Sequence, residues 1–332
     1  MVVSQVSSRI FLGDIPLCRD PRWLSIAINY TVHVTQATEK MRSLPALLRP
    51  LLYWLLPETR TLRRTVQNAR DLIEPEVEKR ERKRMGAAER GELTPKGTDA
   101  LEWFYEIAKA RGRDYDIALG QLQLSFAAIH TTSITLGHVM FDLVSNPEYI
   151  PLLREEIISV FKETGWDKQL MTRLKLMDSC LKESQRITPI ALVLLNRYTT
   201  ESISLSDGTT LPKNAQFLVP TTHHLDPTLY PHPTKFNGHR YLSLREAPGE
   251  ESKHQFVTTN AKQIGFGHGA HACPGRFFAS NELKILLVHL LMKYDWKFGD
   301  GERPANVTHG AMVVPDPEAV IMRRSRVPEV EL

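Results

Sequence analysis

Cysteine is scarce in this 332-residue sequence: Cys18, Cys180 and Cys273 are odd in number, far apart and without CxxC spacing. A disulfide framework and a zinc module are therefore both disfavoured, and a reducing, cytosol-facing environment is indicated. Long apolar runs are also lacking. The most apolar stretch, LPALLRPLLYWLLP at residues 44–57, is broken by Pro45, Arg49 and Pro50 and is too short to span a bilayer. The first residues, MVVSQVSSRIFLGD, have neither a charged segment leading into an apolar core nor an Arg-rich amphipathic pattern, so they do not read as a targeting segment. The formal charge of +4 comes without a nucleic-acid-binding signature, and no nucleic-acid partner is expected. No internal repeat is seen.

What remains has the balance of a globular protein, 42% hydrophobic and 24% charged. Trp23, Ile26, Ala27, Tyr30 and Val34 recur at helical spacing behind Pro21, which predicts a helix over 21–42. Residues 44–57 form an apolar connection, open to reading as buried packing between helices or as a segment dipping into a membrane surface. A second long helix runs from about Thr61 to Arg84 and ends in KRERKR, read as a solvated helix end. Gly86 to Gly97 reads as a polar linker, and helical patterning then continues from Asp99 to about Thr188. Residues 197–220, RYTTESISLSDGTTLPKNAQFLVP, are rich in β-branched side chains around Asp207-Gly208, which predicts a short hairpin. A last helix is expected from just after Cys273 to about Tyr294, followed by strand-like pieces.

The most informative segment is GFGHGAHACPGRFFASNELKILLVHLL, residues 265–291. Gly265, Gly267 and Gly269 let the main chain take conformations closed to other residues and let a flat ligand approach. Pro274, placed just inside the helix, loses no needed N–H. Cys273 then meets the free amides and positive dipole end of a helix, which favour a thiolate, a soft metal ligand. A lone cysteine beside a turn is ordinarily inert and buried, and a zinc site using His268, His271 and Cys273 lacks a second ligand cluster.

The pattern Phe266-x-x-Gly269-x-His271-x-Cys273-x-Gly275 closely resembles the heme-binding signature of the cytochrome P-450 family. The resemblance implies heme b with Cys273 as the axial iron ligand, Phe266 beside the thiolate, and His271 at a heme propionate. Three further segments agree with it. In LMDSCLKESQRITP, Glu183 and Arg186 stand three apart on one helix face and match the family's ExxR, a buried pair joined by a later arginine, here Arg240 in KFNGHRYL. LSFAAIHTTSITLGHVMFDL, residues 124–143, resembles the helix crossing the distal heme face. There Thr131, with His130 and Thr132 beside it, would relay protons to dioxygen. His130 replaces the family's acid and Ala128 its glycine, so delivery by a carboxylate is in doubt, and these residues are alternatively a polar patch in a core helix. Arg197 matches a basic residue set against a propionate, and PIALVLLN, residues 189–196, matches a substrate-contacting segment.

By this resemblance the chain is mainly α with small β-sheets, a single P-450-like catalytic domain over residues 1–332, shortened at its N-terminus. The expected losses are the membrane anchor, the first strands, a propionate-gripping helix and a loop over the substrate, with looser heme binding as the consequence. The implied function is monooxygenation with dioxygen and NADPH-derived electrons from a cytochrome P-450 reductase. Arg276, Lys284 and Lys262 either meet that reductase or are ordinary solvated charges. IHTTS, HQFVTTN and GHGAHACPGRFFASNE look most like filamentous-fungal members oxidising terpenoids or related specialised metabolites, so a lipophilic substrate is implied. Full-length relatives are expected on the cytosolic face of the endoplasmic reticulum membrane. A chain without an anchor would be cytoplasmic or in peripheral membrane contact. A non-catalytic remnant, and a heme-thiolate isomerase or lyase needing no reductase, are the alternatives.

Overall fold

Asp20 begins the first long helix as the sequence pattern predicts: its carboxylate accepts from Arg22 N at 2.8 Å and Pro21 fills the first helical position. The computed structural model describes residues 1–92 and 97–331. The chain divides into two compact units, Met1–Ser133 and Ile134–Leu332.

The N-terminal unit contains α1 (Val2–Leu12), α2 (Pro21–Arg42), α3 (Arg49–Leu55), α4 (Pro57–Glu89), α5 (Ala100–Arg111) and the first half of α6 (Ile117–Ser145). Trp23, Leu24 and Ala27 on α2 pack with Ala69 and Ile73 of α4 and with Leu122 of α6 in one apolar cluster. Trp23 also donates to Ser8 Oγ at 3.0 Å, which satisfies its buried N–H. The KRERKR run is only partly a solvated helix end. Arg80 donates to Asp99, the N-cap of α5, at 2.8 and 3.0 Å, and Arg84 reaches Glu102 at 2.5 Å. Positions 80 and 84 lie one turn apart on α4, so every fourth charge of the run fastens it to α5 while Lys79 and Arg82 stay in solvent. The linker expected over 86–97 is helical as far as Glu89, and its residues 93–96 lie outside the described residues.

Residues 44–57 are neither buried nor extended. They form a 3-10 turn and α3, with Leu47 94%, Leu51 65% and Trp54 63% exposed. Leu47, Leu51 and Trp54 are therefore not buried between helices, while Leu52 and Tyr53 are part-buried.

The C-terminal unit holds the rest of α6, then α7 (Tyr149–Thr164), α8 (Lys168–Arg173), α9 (Lys175–Ile187), α10 (Arg240–Leu244) and α11 (Arg276–Lys293). Leu153, Ile157, Met177, Leu181, Leu287 and Leu291 belong to its core. Its strands pair antiparallel in twos: β1 (Val193–Tyr198) with β4 (Gln216–Pro220), β2 (Ile203–Ser204) with β3 (Thr210–Leu211), β5 (Tyr294–Phe298) with β8 (Ile321–Ser325), and β6 (Asn306–His309) with β7 (Met312–Pro315). The single hairpin expected over 197–220 is two nested ones. The inner, β2–β3, closes at Asp207-Gly208, where Gly208 has φ +88 and Asp207 Oδ1 accepts from Thr209 N.

Candidate heme-thiolate site

The Cys273 loop is shaped by one close approach and one left-handed turn. Gly265 passes so near α9 that a Cβ there would lie 2.3 Å from Gln185 Oε1, and Gly269 adopts φ +73, the left-handed region that favours glycine. Phe266 sits edge-on to the buried Phe256 with ring centres 4.9 Å apart, and its carbonyl accepts the Cys273 N–H at 2.8 Å. Cys273 O in turn accepts from Arg276 Nη1 at 2.8 Å. Cys18 and Cys180 are buried, whereas Cys273 is part-exposed. Helix α11 begins at Arg276 behind an N-cap Gly275, so Pro274 precedes the helix and does not occupy its first position.

These features fit a flat iron-bearing ligand. Cys273 is part-exposed, and a Cβ at Gly275 would sit 3.9 Å from the sulfur, so the glycine leaves that flank clear. His271 is exposed at the end of the 3-10 turn Gly269–His271. His268 spends Nδ1 on Thr259 Oγ1 at 3.1 Å, and no group of three His, Cys, Asp or Glu among the described residues is placed to hold a metal ion. A Cβ at Gly267 would lie 3.7 Å from Leu195 Cδ2, which sets β1 against the cysteine loop. Leu195 stands at φ +52 within a register shift between Leu194 and Arg197. Arg197 makes its hydrogen bond to Asn196 O and no ion pair among the described residues, a cation available for an anionic group.

Glu183, Arg186 and Arg240 are brought together. Arg186 grips Glu183 through two 2.8 Å bonds with both side chains wholly buried, and Arg240 Nε lies 3.0 Å from each carboxylate oxygen. Both Nη1 donors of Arg186 go to the carbonyls of His224 and Pro233, each at 2.7 Å, and Asn237 N supplies another bond to Glu183. One carboxylate thus faces two guanidiniums, and every charge has partners in a dry environment.

A second buried network escaped the sequence reading. Asp178 pairs with Lys284 of α11 at 2.6 Å, accepts Phe256 N at 2.8 Å and meets Arg245 at 3.4 Å. Lys284 is 4% exposed and also donates to Met171 O, so it neither meets a reductase nor lies in solvent. Its place on the apolar stripe with Leu287, Val288 and Leu291 was the available signal. Lys182, equally buried, donates to the carbonyls of Gln255 and Thr258 at 2.7 and 2.9 Å. Burial lowers its ammonium to about 8.

In the N-terminal unit, His130, Thr131 and Thr132 do not converge, because successive helical residues point about 100° apart. His130 Nε2 is 2.9 Å from Ile28 O; a carbonyl only accepts, so this nitrogen carries the proton. Thr131 Oγ1 bonds back to Ala127 O at 2.8 Å on a part-exposed face, and Thr132 is buried.

Comparison with known proteins gives the family. The Cytochrome P450 family model matches residues 2–322. The chain is 46% identical over 325 residues to cytochrome P450 monooxygenase hepE of Aspergillus oryzae, covering 98% of this chain and 59% of that one. It is 43% identical to cytochrome P450 monooxygenase ntnM of a Nectria species, covering 98% and 62%. A solved zebrafish cytochrome P450 with abiraterone superposes at TM-score 0.66, 20% identity, over 98% of this chain and 70% of that one. A cyanobacterial P450 with retinoic acid gives TM-score 0.69 at 19% identity, over 98% and 67%. The chain belongs to the cytochrome P450 family. It is mainly helical with small sheets, and it spans about three-fifths of the length of these two fungal relatives.

Proposed function

We propose that residues 1–332 act as one heme-thiolate catalytic domain of a monooxygenase that oxidises a lipophilic metabolite, a terpenoid or related secondary metabolite of a fungus. The observation that carries this is the part-exposed Cys273 on a loop packed against α9 and against β1, the strand that carries Arg197, which forms no ion pair among the described residues. When bound, heme on a thiolate supplies cleavage of dioxygen and oxidation of a C–H bond. Cys273 would hold the iron, Phe266 and Gly269 would fix the sulfur's position, Gly275 would keep its flank open, and His271 and Arg197 would meet the propionates. Thr131, on a part-exposed helix face, would hold a proton for delivery to dioxygen. Its hydroxyl must leave the Ala127 carbonyl to do so. Residues 189–196, whose apolar side chains are part-buried apart from the exposed Leu192, are the candidate for substrate contact.

Electrons come from an NADPH-dependent cytochrome P450 reductase, in keeping with the activity named for the fungal relatives. Among the described residues no helix is long and apolar enough to cross a membrane. The exposed leucines and Trp54 of α3, flanked by Arg60 and Arg63, suit peripheral contact with the endoplasmic reticulum surface on its cytosolic side. A second reading, an isomerase or lyase needing no reductase, is favoured by His130, whose proton-bearing nitrogen is committed to Ile28. Incubation with a terpenoid panel, reductase, NADPH and isotope-labelled dioxygen tests the two. Label in the product only when NADPH is present supports the monooxygenase; turnover without NADPH or label supports the second reading.

A further inference from the structure

In the C-terminal unit a cavity of about 680 Å³ lies among α9, α10 and the loops around residues 229–237 and 260–263, and no residue of the Cys273 loop lines it. That is the size of a small-molecule site. Its wall has two characters. Phe236 and Leu244 offer apolar surface, while Lys182, Lys235, Arg240 and Lys262 offer cations, and no Asp or Glu is among the lining residues. Arg240 is answered by Glu183, but Lys235 and Lys262 are exposed and form no ion pair among the described residues. Two of the three N–H donors of buried Lys182 are spent on carbonyls, which leaves one. Gln263, 4% exposed, donates to the Tyr241 hydroxyl and has its Oε1 buried without a partner. Turning that amide over would let Tyr241 donate to Oε1 and present an N–H in its place. A cavity with unpaired cations, no carboxylate and an unsatisfied buried amide is built for negative charge, and its apolar side for a hydrocarbon or ring.

We propose that this cavity binds a small amphiphilic organic anion, a phosphate or carboxylate head on an apolar body, at a site separate from the Cys273 loop. Isothermal titration of the full chain with hexyl phosphate is the test. Saturable binding is expected, weakened about tenfold or more in the Lys235→Gln/Lys262→Gln double variant, the loss of at least one charge-assisted contact. Inorganic phosphate should bind more weakly than hexyl phosphate, and Phe236→Ala should reduce affinity for the hexyl ester alone. Sedimentation with phosphatidylcholine vesicles, with and without phosphatidic acid, separates the sources: capture by the acidic vesicles that the double variant abolishes assigns the head to a lipid, and its absence beside hexyl phosphate binding assigns it to a soluble metabolite. Lack of saturable binding to either probe, unchanged affinity in the double variant, or equal affinity for inorganic phosphate would overturn the proposal.

Discussion

The N–H of Cys273 donates to the carbonyl of Phe266 at 2.8 Å, and from that bond the cysteine loop is tied inward step by step. Phe266 rests on Phe256, the Phe256 N–H goes to Asp178 on α9, and Asp178 is paired with Lys284 on α11. The position of the sulfur therefore depends on an ion pair between the two helices that flank it.

Breaking that pair should loosen the loop as well as the fold. Lys284→Met leaves Asp178 with the Phe256 N–H and, as its ion-pair partner, only the longer Arg245 contact, and should cost about 3 kcal/mol in urea unfolding. Asp178→Asn should cost a similar amount. The double variant should lose less than the two together, since neither charge is then stranded. Additive losses would mean the two side chains act independently.

The buried carboxylate between two arginines is the most exposed to substitution. Glu183→Gln strands Arg186 and Arg240, and the expected loss is roughly 3 to 5 kcal/mol, read as a lower denaturation midpoint or as failure to yield soluble chain. Arg240→Gln should cost less, because Arg186 still holds Glu183 through two bonds.

Gly265 owes its identity to Gln185. Gly265→Ala should destabilise the chain by about 1 to 3 kcal/mol, the cost of overpacking. In a Gln185→Ala background, where the clashing amide is gone, the same substitution should cost measurably less.

Acid should weaken the C-terminal unit through His224. Burial, with His223 and Arg186 nearby, pushes its imidazole down to about 4, and Ile264 N donates toward its Nε2 at 3.4 Å, which requires that nitrogen bare. The unfolded chain takes up this proton near pH 6.5 and the folded chain only near 4. Stability present above about 6.5 is therefore lost as pH falls through that window, by roughly 3 kcal/mol. Urea midpoints between pH 7 and 4 should flatten in His224→Gln.

The cysteine loop, the Glu183–Arg186 spacing and the long helices were legible because each is written in neighbouring residues: glycines before a cysteine, charges three apart, apolar side chains at helical period. What was not legible lies in pairings across tens of residues. Nothing near Lys284 announces Asp178, and nothing near His130 announces the Ile28 carbonyl that claims its ring. The KRERKR run shows both sides: its charge was plain, but its division into a solvated face and a face bound to α5 waits on where Asp99 and Glu102 fall.

The reduced carbon-monoxide difference spectrum of the purified, heme-loaded chain, measured beside Cys273→Ser, tests the heme-thiolate site most directly. The long-wavelength Soret band of a thiolate-bound iron is predicted for the unaltered chain and its loss in the variant. The same band in both, or only the blue-shifted band of a nitrogen-ligated iron in the unaltered chain, would contradict Cys273 as the ligand.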